Sequence, residues 1–290
     1  MNKQPDWISK ALFPFRSRFF QTEEGALHYL DEGSGPPIVF VHGNPSWSFE
    51  FRHLVVGLRD AHRCIAVDHL GFGLSDRAAD PAAYHPKEHA RRLGALLTHL
   101  ELDAITLVVT DWGGPIGLDF ARVHPERVAK IVVMNSWCWP VDDDPHFVKF
   151  SAAMSSGVVQ FLIKRFNIFV NLVMPKAVGN RRALTREVMT HYRKAQGSPA
   201  LRAGSMAFPA HIVGASDWLG ELWGQRERFT DKPLLLLWGL KDIAFRKREL
   251  ETWREAFADA RIREFPDCGH FMAEEAPEAV EEEIRRFVDS

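Results

Sequence analysis

The sequence is poor in cysteine, and this scarcity excludes two classes of small-domain architecture. Only three cysteines occur in 290 residues, Cys64, Cys138 and Cys268, and no two of them form a Cys-x-x-Cys pair. A disulfide framework or a structural zinc site is therefore not expected, whereas three buried, inert thiols in a reducing compartment are. We predict a cytoplasmic protein that binds no metal and no other cofactor.

An excess of charge of one sign and long apolar runs are also missing. The 36 Lys and Arg residues face 38 Asp and Glu residues, for a formal net charge of −2. This balance disfavours a nucleic-acid-binding protein, which would present a basic face. No apolar run reaches the roughly 18 residues of a membrane span, and segment 1–20 lacks the apolar stretch of a secretory signal. We therefore expect neither a nucleic acid nor a membrane as a partner.

Short apolar runs are present instead, in a chain with ordinary globular composition, 46% hydrophobic and 26% charged. Each run is continuous rather than alternating, as in strands buried on both faces of a parallel sheet. Helix-length segments separate the runs, which predicts an α/β fold with a mostly parallel sheet flanked by helices. The predicted strands are 37–41, 64–67, 105–109, 131–134 and 234–238, with antiparallel edge strands at 18–21 and 26–31. The predicted helices are 47–58, 86–100, 113–124 and 274–288.

The strand–helix alternation stops between residues 137 and 214. No strand-like run occurs there, and short amphipathic helices are predicted at 147–154, 158–169 and 185–195, with proline and glycine as breakers between them. We predict a core domain made of residues 1–136 and 215–290. A helical cap, residues 137–214, is inserted into this core.

Asp111 is the candidate nucleophile, because ligands of open α/β sheets bind at the carboxyl ends of the strands. It follows the third run in Asp111-Trp112-Gly113-Gly114, which leads into a helix. Small residues after a reactive side chain are typical of the sharp nucleophile elbow, normally built around serine. A carboxylate at this point can displace a leaving group from carbon and form an ester. The alternative is that Asp111 merely caps the helix.

Two further strand ends supply the partners of a catalytic triad. Asp242 lies a few residues after the run 234–238, where a carboxylate can orient a histidine, and His270 precedes the last helix. The chain order Asp111, Asp242, His270 is the nucleophile–acid–base order of α/β-hydrolases. His42, at another strand end, is expected to be tied to nearby backbone rather than to act as a base.

Asn44 and Trp112 are candidate N–H donors beside Asp111. The His42-Gly43 turn brings backbone N–H groups near the nucleophile, as in an oxyanion hole, and Asn44 adds a side-chain amide. The indole of Trp112 donates a hydrogen bond and cannot accept one. Two neutral donors next to a carboxylate suit a departing anion such as halide. An ordinary turn residue and a packed core tryptophan are the alternative interpretations.

These residues resemble those of haloalkane dehalogenases, which have the α/β-hydrolase fold, and the resemblance covers nearly the whole chain. It implies that Asp111 is the nucleophile, His270 the base and Asp242 the acid, and that Asn44 and Trp112 hold the halide. Haloalkanes would be the substrates, and an alcohol, halide and a proton the products. The main motifs that carry the resemblance are Asp-Trp-Gly-Gly-Pro at 111–115, His-Gly-Asn-Pro-Ser-Trp-Ser at 42–48 and Gly-His-Phe at 269–271.

Two absences indicate a subgroup within this family. Some members carry their acid as Glu after the strand that ends here near Met134, but this chain has Asn135 and Ser136 there. Other members use a cap tryptophan as halide donor, and this chain has no tryptophan between Val141 and Ser216. The sequence therefore resembles the third subgroup, with an Asp-His-Asp triad plus Asn and Trp. Some members of that subgroup form large homo-oligomers.

Epoxide hydrolysis is the main alternative function, since it uses the same triad. It needs acid donors to the epoxide oxygen, usually two cap tyrosines, and only Tyr192 lies in the predicted cap. Fluoroacetate-type dehalogenation would need cationic side chains near the nucleophile, and a luciferase-like oxygenase would need the early Glu. A non-enzymatic ligand-binding protein of this fold would be expected to have a broken triad.

Aromatic residues are the candidates for an apolar substrate pocket. Phe147, Phe150 and Phe271 are the residues that we predict to line it. Phe161, Phe166 and Phe169 could line the pocket too, although aromatic residues of a cap more often form its core. The sequence equally leaves open whether Trp137 and Trp139, at the hinge of the cap, line the pocket.

Overall fold

The computed structural model describes residues 4–290 and contains one eight-stranded sheet. The strands are β1 Arg18–Thr22, β2 Gly25–Glu32, β3 Pro37–Val41, β4 Arg63–Val67, β5 Ile105–Asp111, β6 Val128–Ser136, β7 Leu234–Gly239 and β8 Arg261–Phe265. Their spatial order is β1-β2-β4-β3-β5-β6-β7-β8. β2 pairs antiparallel with β1 and with β4, and all other pairs are parallel. The predicted α/β fold is confirmed.

Helices occupy most of the remaining chain. The α-helices are α1 Arg52–Leu58, α2 Pro86–His99, α3 Gly113–Val123, α4 Pro145–Ser155, α5 Gly157–Phe166, α6 Met174–Ala177, α7 Arg186–Ala195, α8 Ala203–Gly214, α9 Ser216–Gly224, α10 Lys247–Ala256, α11 Met272–Glu275 and α12 Pro277–Val288. A π-helical segment spans Phe169–Val173. Short 3-10 turns occur at Ser48–Phe51, Pro81–Tyr84, Pro125–Arg127, Arg181–Ala183, Ala200–Arg202 and Arg226–Arg228.

The central strands are buried on both faces, which explains their continuous apolar sequences. Along β3, Val39 and Val41 belong to one hydrophobic cluster, whereas Ile38 and Phe40 belong to another. Successive side chains of a strand point to opposite faces, so the two clusters are the cores on the two sides of the sheet. β3, β5, β6 and β7 are consecutive neighbours. Their carboxyl ends therefore meet at one edge, where the candidate site residues follow them.

Several predicted element boundaries were wrong, and each error has a local cause. The segment 47–58 begins as a 3-10 turn and becomes α-helical only at Arg52. The segment 158–169 is not one helix, because α5 ends where Asn167 adopts a left-handed conformation with φ 53°. The last helix is divided into α11 and α12, because Pro277 starts a new helix after Ala276.

The chain between β6 and β7 contains only helices and turns among its described residues. α8 packs against α4, whereas α9 packs against α3, beside the sheet. These contacts support a proposed cap at 137–214 and a return to the core at 215. No single helix within residues 4–290 is long and apolar enough to cross a membrane. One bent pair, Gly157–Phe166 with Phe169–Ala177, passes that test by length and composition, with 87° between its halves.

Candidate active site

The turn from β5 into α3 holds Asp111 at the carboxyl edge of the sheet. Its φ is +48°, a left-handed conformation that is unfavourable for a residue with a side chain. The turn is tight enough that any Cβ at Gly113 would overlap the backbone carbonyl of Val41. A Cβ at Gly43 would overlap the carboxylate of Asp111 itself. The glycines that follow and face Asp111 are therefore needed for this geometry.

His270 and Asp242 form a close pair beside Asp111. Nδ1 of His270 lies 2.8 Å from Oδ2 of Asp242, and its Nε2 faces Oδ2 of Asp111 at 3.7 Å. The backbone N–H of Ala244 donates to the other oxygen of Asp242 at 2.7 Å, which fixes that carboxylate. The three residues predicted from three separate strand ends thus lie in one row.

Charge and burial have opposite effects on the pKa values of His270 and Asp111. Burial alone would lower the pKa of His270, but the charge and hydrogen bond of Asp242, together with the charge of Asp111, raise it to about 9. Burial raises the pKa of Asp111. The charge of His270 and the backbone N–H groups of Asn44 and Trp112 lower it, but by less. The two carboxylates that face His270 therefore favour its protonated form.

Asn135 is a site residue that the sequence did not reveal. It sits at the end of β6 with φ 38°, fully buried. Its Nδ2 donates to Asp242 at 2.8 Å and to the carbonyl of Gly239 at 3.1 Å, and its Oδ1 accepts from the N–H of Gly239 at 2.7 Å. The amide of Asn135 therefore orients the carboxylate of Asp242.

Asn44 and Trp112 both border the space in front of Asp111. The backbone N–H of Asn44 donates to Oδ1 of Asp111 at 2.7 Å, and its side-chain amide donates to the carbonyl of Ser205 at 3.3 Å. The indole of Trp112 stacks on Phe208, with 5.2 Å between the ring centroids. One oxygen of the Asp111 carboxylate is therefore held by the backbone of Asn44, while Oδ2 faces His270.

An apolar cavity of about 110 Å³ opens in front of these residues. The predicted pocket residues Phe147, Phe150 and Phe271 all line it. Polar side chains are few in its lining, and Asn44, Asp111 and His270 are among them. The rest of the lining is Pro45, Trp112, Trp137, His146, Phe169, Val173, Met174, Ala177, Pro209, Ile212, Ile243, Ala244 and Phe245.

Other aromatic residues divide between the cavity and the outer surface. Phe169 lines the cavity, but Phe161 and Phe166 are 60% and 55% exposed and do not. Trp137 lines the cavity, and its Nε1 is buried with no hydrogen-bond partner among residues 4–290. Tyr192 is not among the lining residues. Its hydroxyl donates to Glu274 at 2.6 Å instead. Trp137 is thus a second indole at the site, beside Trp112.

Two buried groups near the site have roles other than direct chemistry. Nδ1 of His42 bonds the carbonyl of Gly43 and its Nε2 accepts from the N–H of His69, so the ring braces backbone, as predicted. Burial lowers its pKa to about 4. Burial also raises the pKa of Glu50 to about 7, against a hydrogen bond from Ser46 and the charge of His270. The sequence gave no sign that Glu50 would lie so close to the triad.

Comparison with known proteins decides the family. The α/β hydrolase fold family model matches residues 36–163 and 193–277. Haloalkane dehalogenase 2 of Mycobacterium tuberculosis (strain ATCC 25618 / H37Rv) is 42% identical over 273 residues, which cover 93% of each chain. This chain belongs to the haloalkane dehalogenase family of the α/β-hydrolase fold. The family resemblance inferred from the motifs is confirmed.

Two other similarities help to place this member of the haloalkane dehalogenase family. Cis-3-alkyl-4-alkyloxetan-2-one decarboxylase of Shewanella oneidensis (strain ATCC 700550 / JCM 31522 / CIP 106686 / LMG 19005 / NCIMB 14063 / MR-1) is 35% identical, covering 96% of this chain and 89% of that one. The crystal structure of the haloalkane dehalogenase DatA from Agrobacterium tumefaciens C58 superposes with a TM-score of 0.84 at 25% identity, covering 97% and 99% of the two chains. Relatives of this chain thus carry two different enzyme names.

Proposed function

We propose that this protein hydrolyses the carbon–halogen bond of haloalkanes through an alkyl ester on Asp111. The observation that carries the proposal is the row of Asp111, His270 and Asp242, of which Asp111 and His270 line an apolar cavity. An apolar cavity with few polar groups suits an alkyl halide, which has only one weakly polar bond. Family membership supports the same activity.

In the first step, Oδ2 of Asp111 attacks the halogen-bearing carbon, the carbon–halogen bond breaks, and halide leaves with the electron pair. The backbone N–H of Asn44 holds Oδ1, so the carboxylate cannot rotate away. Asn44 and Trp112 donate N–H bonds to the departing halide, and the indole of Trp137 offers a third N–H. Each such donor can contribute about 3 kcal/mol to the transition state, as oxyanion-hole donors do.

In the second step, water attacks the carboxyl carbon of the ester, and His270 removes its proton. The alcohol leaves and Asp111 is restored as a carboxylate, so one haloalkane and one water give alcohol, halide and a proton. Asp242 stabilises the imidazolium and keeps Nε2 of His270 directed at Asp111. Asn135 acts as a positioning residue for Asp242.

We place the enzyme in the third subgroup, with an Asp111–His270–Asp242 triad and with Asn44 and Trp112 as halide donors. The bonds from Asn135 to Asp242 support this placement, because an amide at the end of β6 leaves Asp242 as the acid that can pair with His270. The cavity lining contains no tyrosine within the described chain, which disfavours epoxide hydrolysis. Three free, buried cysteines support a reducing, cytoplasmic location.

Decarboxylation of a β-lactone is a second candidate function, favoured by the similarity to the Shewanella oneidensis decarboxylase. The ring oxygen of an oxetan-2-one is bonded to an alkyl carbon, which Asp111 could attack as it attacks a haloalkane. Loss of carbon dioxide with release of Asp111 would then give an alkene, without any need for water. The two alkyl groups named in that substrate also match an apolar cavity.

The test is halide release from a panel of chloro-, bromo- and iodoalkanes, run beside an epoxide panel and a cis-dialkyl oxetan-2-one. The proposal predicts halide and alcohol from the haloalkanes, and neither product with Asp111→Asn. Diol from the epoxides alone, or alkene from the lactone without halide from any haloalkane, would overturn it. Asp267→Asn, which changes an exposed carboxylate that pairs with Lys241, is the matched control and should keep full activity.

A further inference from the structure

The outer surface of the cap exposes an unusual number of large apolar side chains. Five of the eight exposed large hydrophobic residues of the described chain lie between residues 145 and 177. Four of them, which we call the cap patch, are Val158, Phe161, Phe166 and Leu172, and each is 49–72% exposed.

The four residues of the cap patch lie on consecutive, connected elements. Val158 and Phe161 are three residues apart on α5, so they lie on the same side of that helix. The rings of Phe161 and Phe166 are neighbours, with centroids 6.4 Å apart. Asn171, which precedes Leu172, donates to the carbonyl of Phe166 at 2.9 Å. An exposed apolar surface of this kind normally marks a contact with another body.

The opposite sides of the same elements are already packed. Ile163 and Phe169 are buried in a cluster of the cap, and Val170 and Met174 are buried in the core beneath it. The exposed side chains are therefore left over after the cap has folded. Contact through the cap patch requires no unfolding, and a surface contact fits these elements better than insertion across a bilayer.

Charge around the cap patch is strongly one-sided. The proposed cap, residues 137–214, contains ten Lys and Arg residues and four acidic residues, Asp142, Asp143, Asp144 and Glu187, in a chain whose formal net charge is −2. None of those ten forms an ion pair with a carboxylate of residues 4–290. Lys164 and Arg165 are exposed between Phe161 and Phe166, and the guanidinium of Arg165 lies 5.7 Å from the ring centroid of Phe166. The basic side chains of the cap are therefore not paired with carboxylates of the described chain.

We propose that the cap patch docks on an anionic lipid surface. Aromatic and aliphatic side chains that enter the headgroup region, flanked by Lys and Arg that meet anionic headgroups, are the features of peripheral membrane attachment. An acidic protein could pair with the Lys and Arg side chains. It would not offer the aromatic side chains an apolar medium equivalent to the lipid. The expectation of no membrane partner rested on the search for spanning runs, which does not detect a folded surface of this kind.

Docking at the cap patch would also bring the cavity close to the lipid. Phe150, on the neighbouring helix α4, lines the cavity and is 37% exposed, and Ile243 lines it and is 51% exposed. Substrates with alkyl chains partition into membranes, so a cavity mouth near the bilayer would meet them at high local concentration. This consequence rests on the proposed function, but the docking does not.

Vesicle sedimentation tests the docking with the whole protein. We expect binding to vesicles of phosphatidylcholine with about 30% phosphatidylglycerol and little binding to pure phosphatidylcholine, and loss of binding near 0.5 M salt, where charges are screened. Phe161→Ser with Phe166→Ser, and separately Lys164→Glu with Arg165→Glu, should each weaken binding about tenfold or more. Val56→Ser and Val123→Ser, which change exposed hydrophobic residues outside the cap, should leave it unchanged.

Absence of binding to the anionic vesicles at low salt would overturn the proposal, as would equal binding by the patch variants. If light scattering instead shows oligomers that the patch variants dissociate, while no protein sediments with vesicles, the patch is a contact between copies of this chain and the proposal is wrong. Halide release from a small water-soluble haloalkane checks that each variant is folded. If the unaltered protein releases no halide, the proposed function is wrong, but the vesicle result still tests the docking.

Discussion

At the scale of single residues, the two oxygens of Asp111 have different surroundings. Oδ1 is held by the backbone N–H of Asn44, while Oδ2 faces Nε2 of His270 and the cavity. The left-handed backbone of Asp111 keeps this orientation at a cost that the surrounding sheet must offset. The residue therefore combines a fixed carboxylate plane with one oxygen free to attack.

The role of Asp242 as the acid can be tested by transferring the carboxylate to position 135. Asp242→Asn should lower kcat by a factor of about 10² to 10⁴, because His270 then loses the partner that fixes its tautomer and stabilises its charge. Asn135→Glu combined with Asp242→Asn should regain part of that loss, since Asn135 already contacts the same carboxylate. The measurement is steady-state halide release, with circular dichroism as the check of folding. A double variant no better than Asp242→Asn would contradict the positioning role given to Asn135.

The charge of His270 should respond to the charge of Asp111. A cationic His270 cannot accept a proton from water, so a lower pKa of His270 favours hydrolysis of the ester. Esterification removes the negative charge of Asp111, which is one of the charges that raise this pKa. Asp111→Asn imitates the neutral ester, and we expect a lower pKa of His270 in this variant. In the unaltered enzyme, ester hydrolysis should therefore quicken as pH rises through the lowered value.

NMR titration of the histidine rings measures this shift in both proteins. His211, whose pKa burial and the charge of His85 lower to about 4, lies outside the cavity lining and is the internal control. It should titrate alike in the two proteins. A His270 that titrates at the same pH or higher in Asp111→Asn would disprove the electrostatic account of the second step.

At this scale the sequence indicated the candidate reactive residues but not the residues that contact them. Asp111, Asp242 and His270 each follow an apolar run or precede a helix, and that position is visible in one dimension. Asn135 also follows an apolar run, 131–134, but its role is not visible there, because it depends on a hydrogen bond to Asp242, 107 residues away. The burial of Glu50 is not visible either, since a Glu in a helical segment normally predicts an exposed position.

At the scale of elements, the elbow depends on how closely α3 follows β5. Gly113 lies against the carbonyl of Val41 on β3, so the helix can start only if this residue has no side chain. Gly113→Ala should therefore lower the free energy of unfolding by about 1–3 kcal/mol, as overpacking does. It should also reduce halide release, because the strain would move Asp111.

Gly224→Ala is the matched control for that substitution. Gly224 ends α9, and a Cβ there would have no neighbour within 4 Å. Alanine should be neutral or stabilise by up to about 1 kcal/mol, since it restricts the unfolded chain. Chemical denaturation of both variants gives the comparison. Equal stabilities would show that the close approach at Gly113 is not a constraint.

Element prediction from sequence succeeded where burial is two-sided. β3, β5, β6 and β7 are buried on both faces, so their runs are continuous and easily detected. β8 was missed because it is an edge strand with alternating exposure, in which Arg261, Arg263 and Glu264 interrupt the apolar pattern. The helix α8 was missed because its apolar residues lie on all sides, and it contains Pro209.

At the scale of the whole molecule, one buried ion pair connects three parts of the chain. Arg52 on α1 donates to Glu274 on α11, with Nη2 2.7 Å from Oε2. Tyr192 on α7 donates to the same carboxylate at 2.6 Å. The side chains of Arg52 and Glu274 are only 3% and 1% exposed. This network therefore fastens the predicted cap to both halves of the core.

Breaking that pair should be costly. Arg52→Met leaves the charge of Glu274 buried with only Tyr192 as its donor, and we expect a loss of about 3–5 kcal/mol in the free energy of unfolding. The exposed pair Arg286 and Glu282 is the control, and Arg286→Met should cost no more than about 0.5 kcal/mol. Denaturant unfolding measures both. Similar losses for the two variants would show that burial does not set the strength of the pair.

The central claim is that catalysis passes through an ester on Asp111, and mass spectrometry of a trapped intermediate tests it most directly. His270→Ala, or His270→Gln if the first variant does not fold, is mixed with a bromoalkane and digested. The account predicts that the peptide containing Asp111 gains the mass of the alkyl group, while Asp111→Asn and the unaltered enzyme show no such gain. Halide release by the unaltered enzyme together with no alkylated peptide in either His270 variant, or with alkylation of another residue, would contradict it.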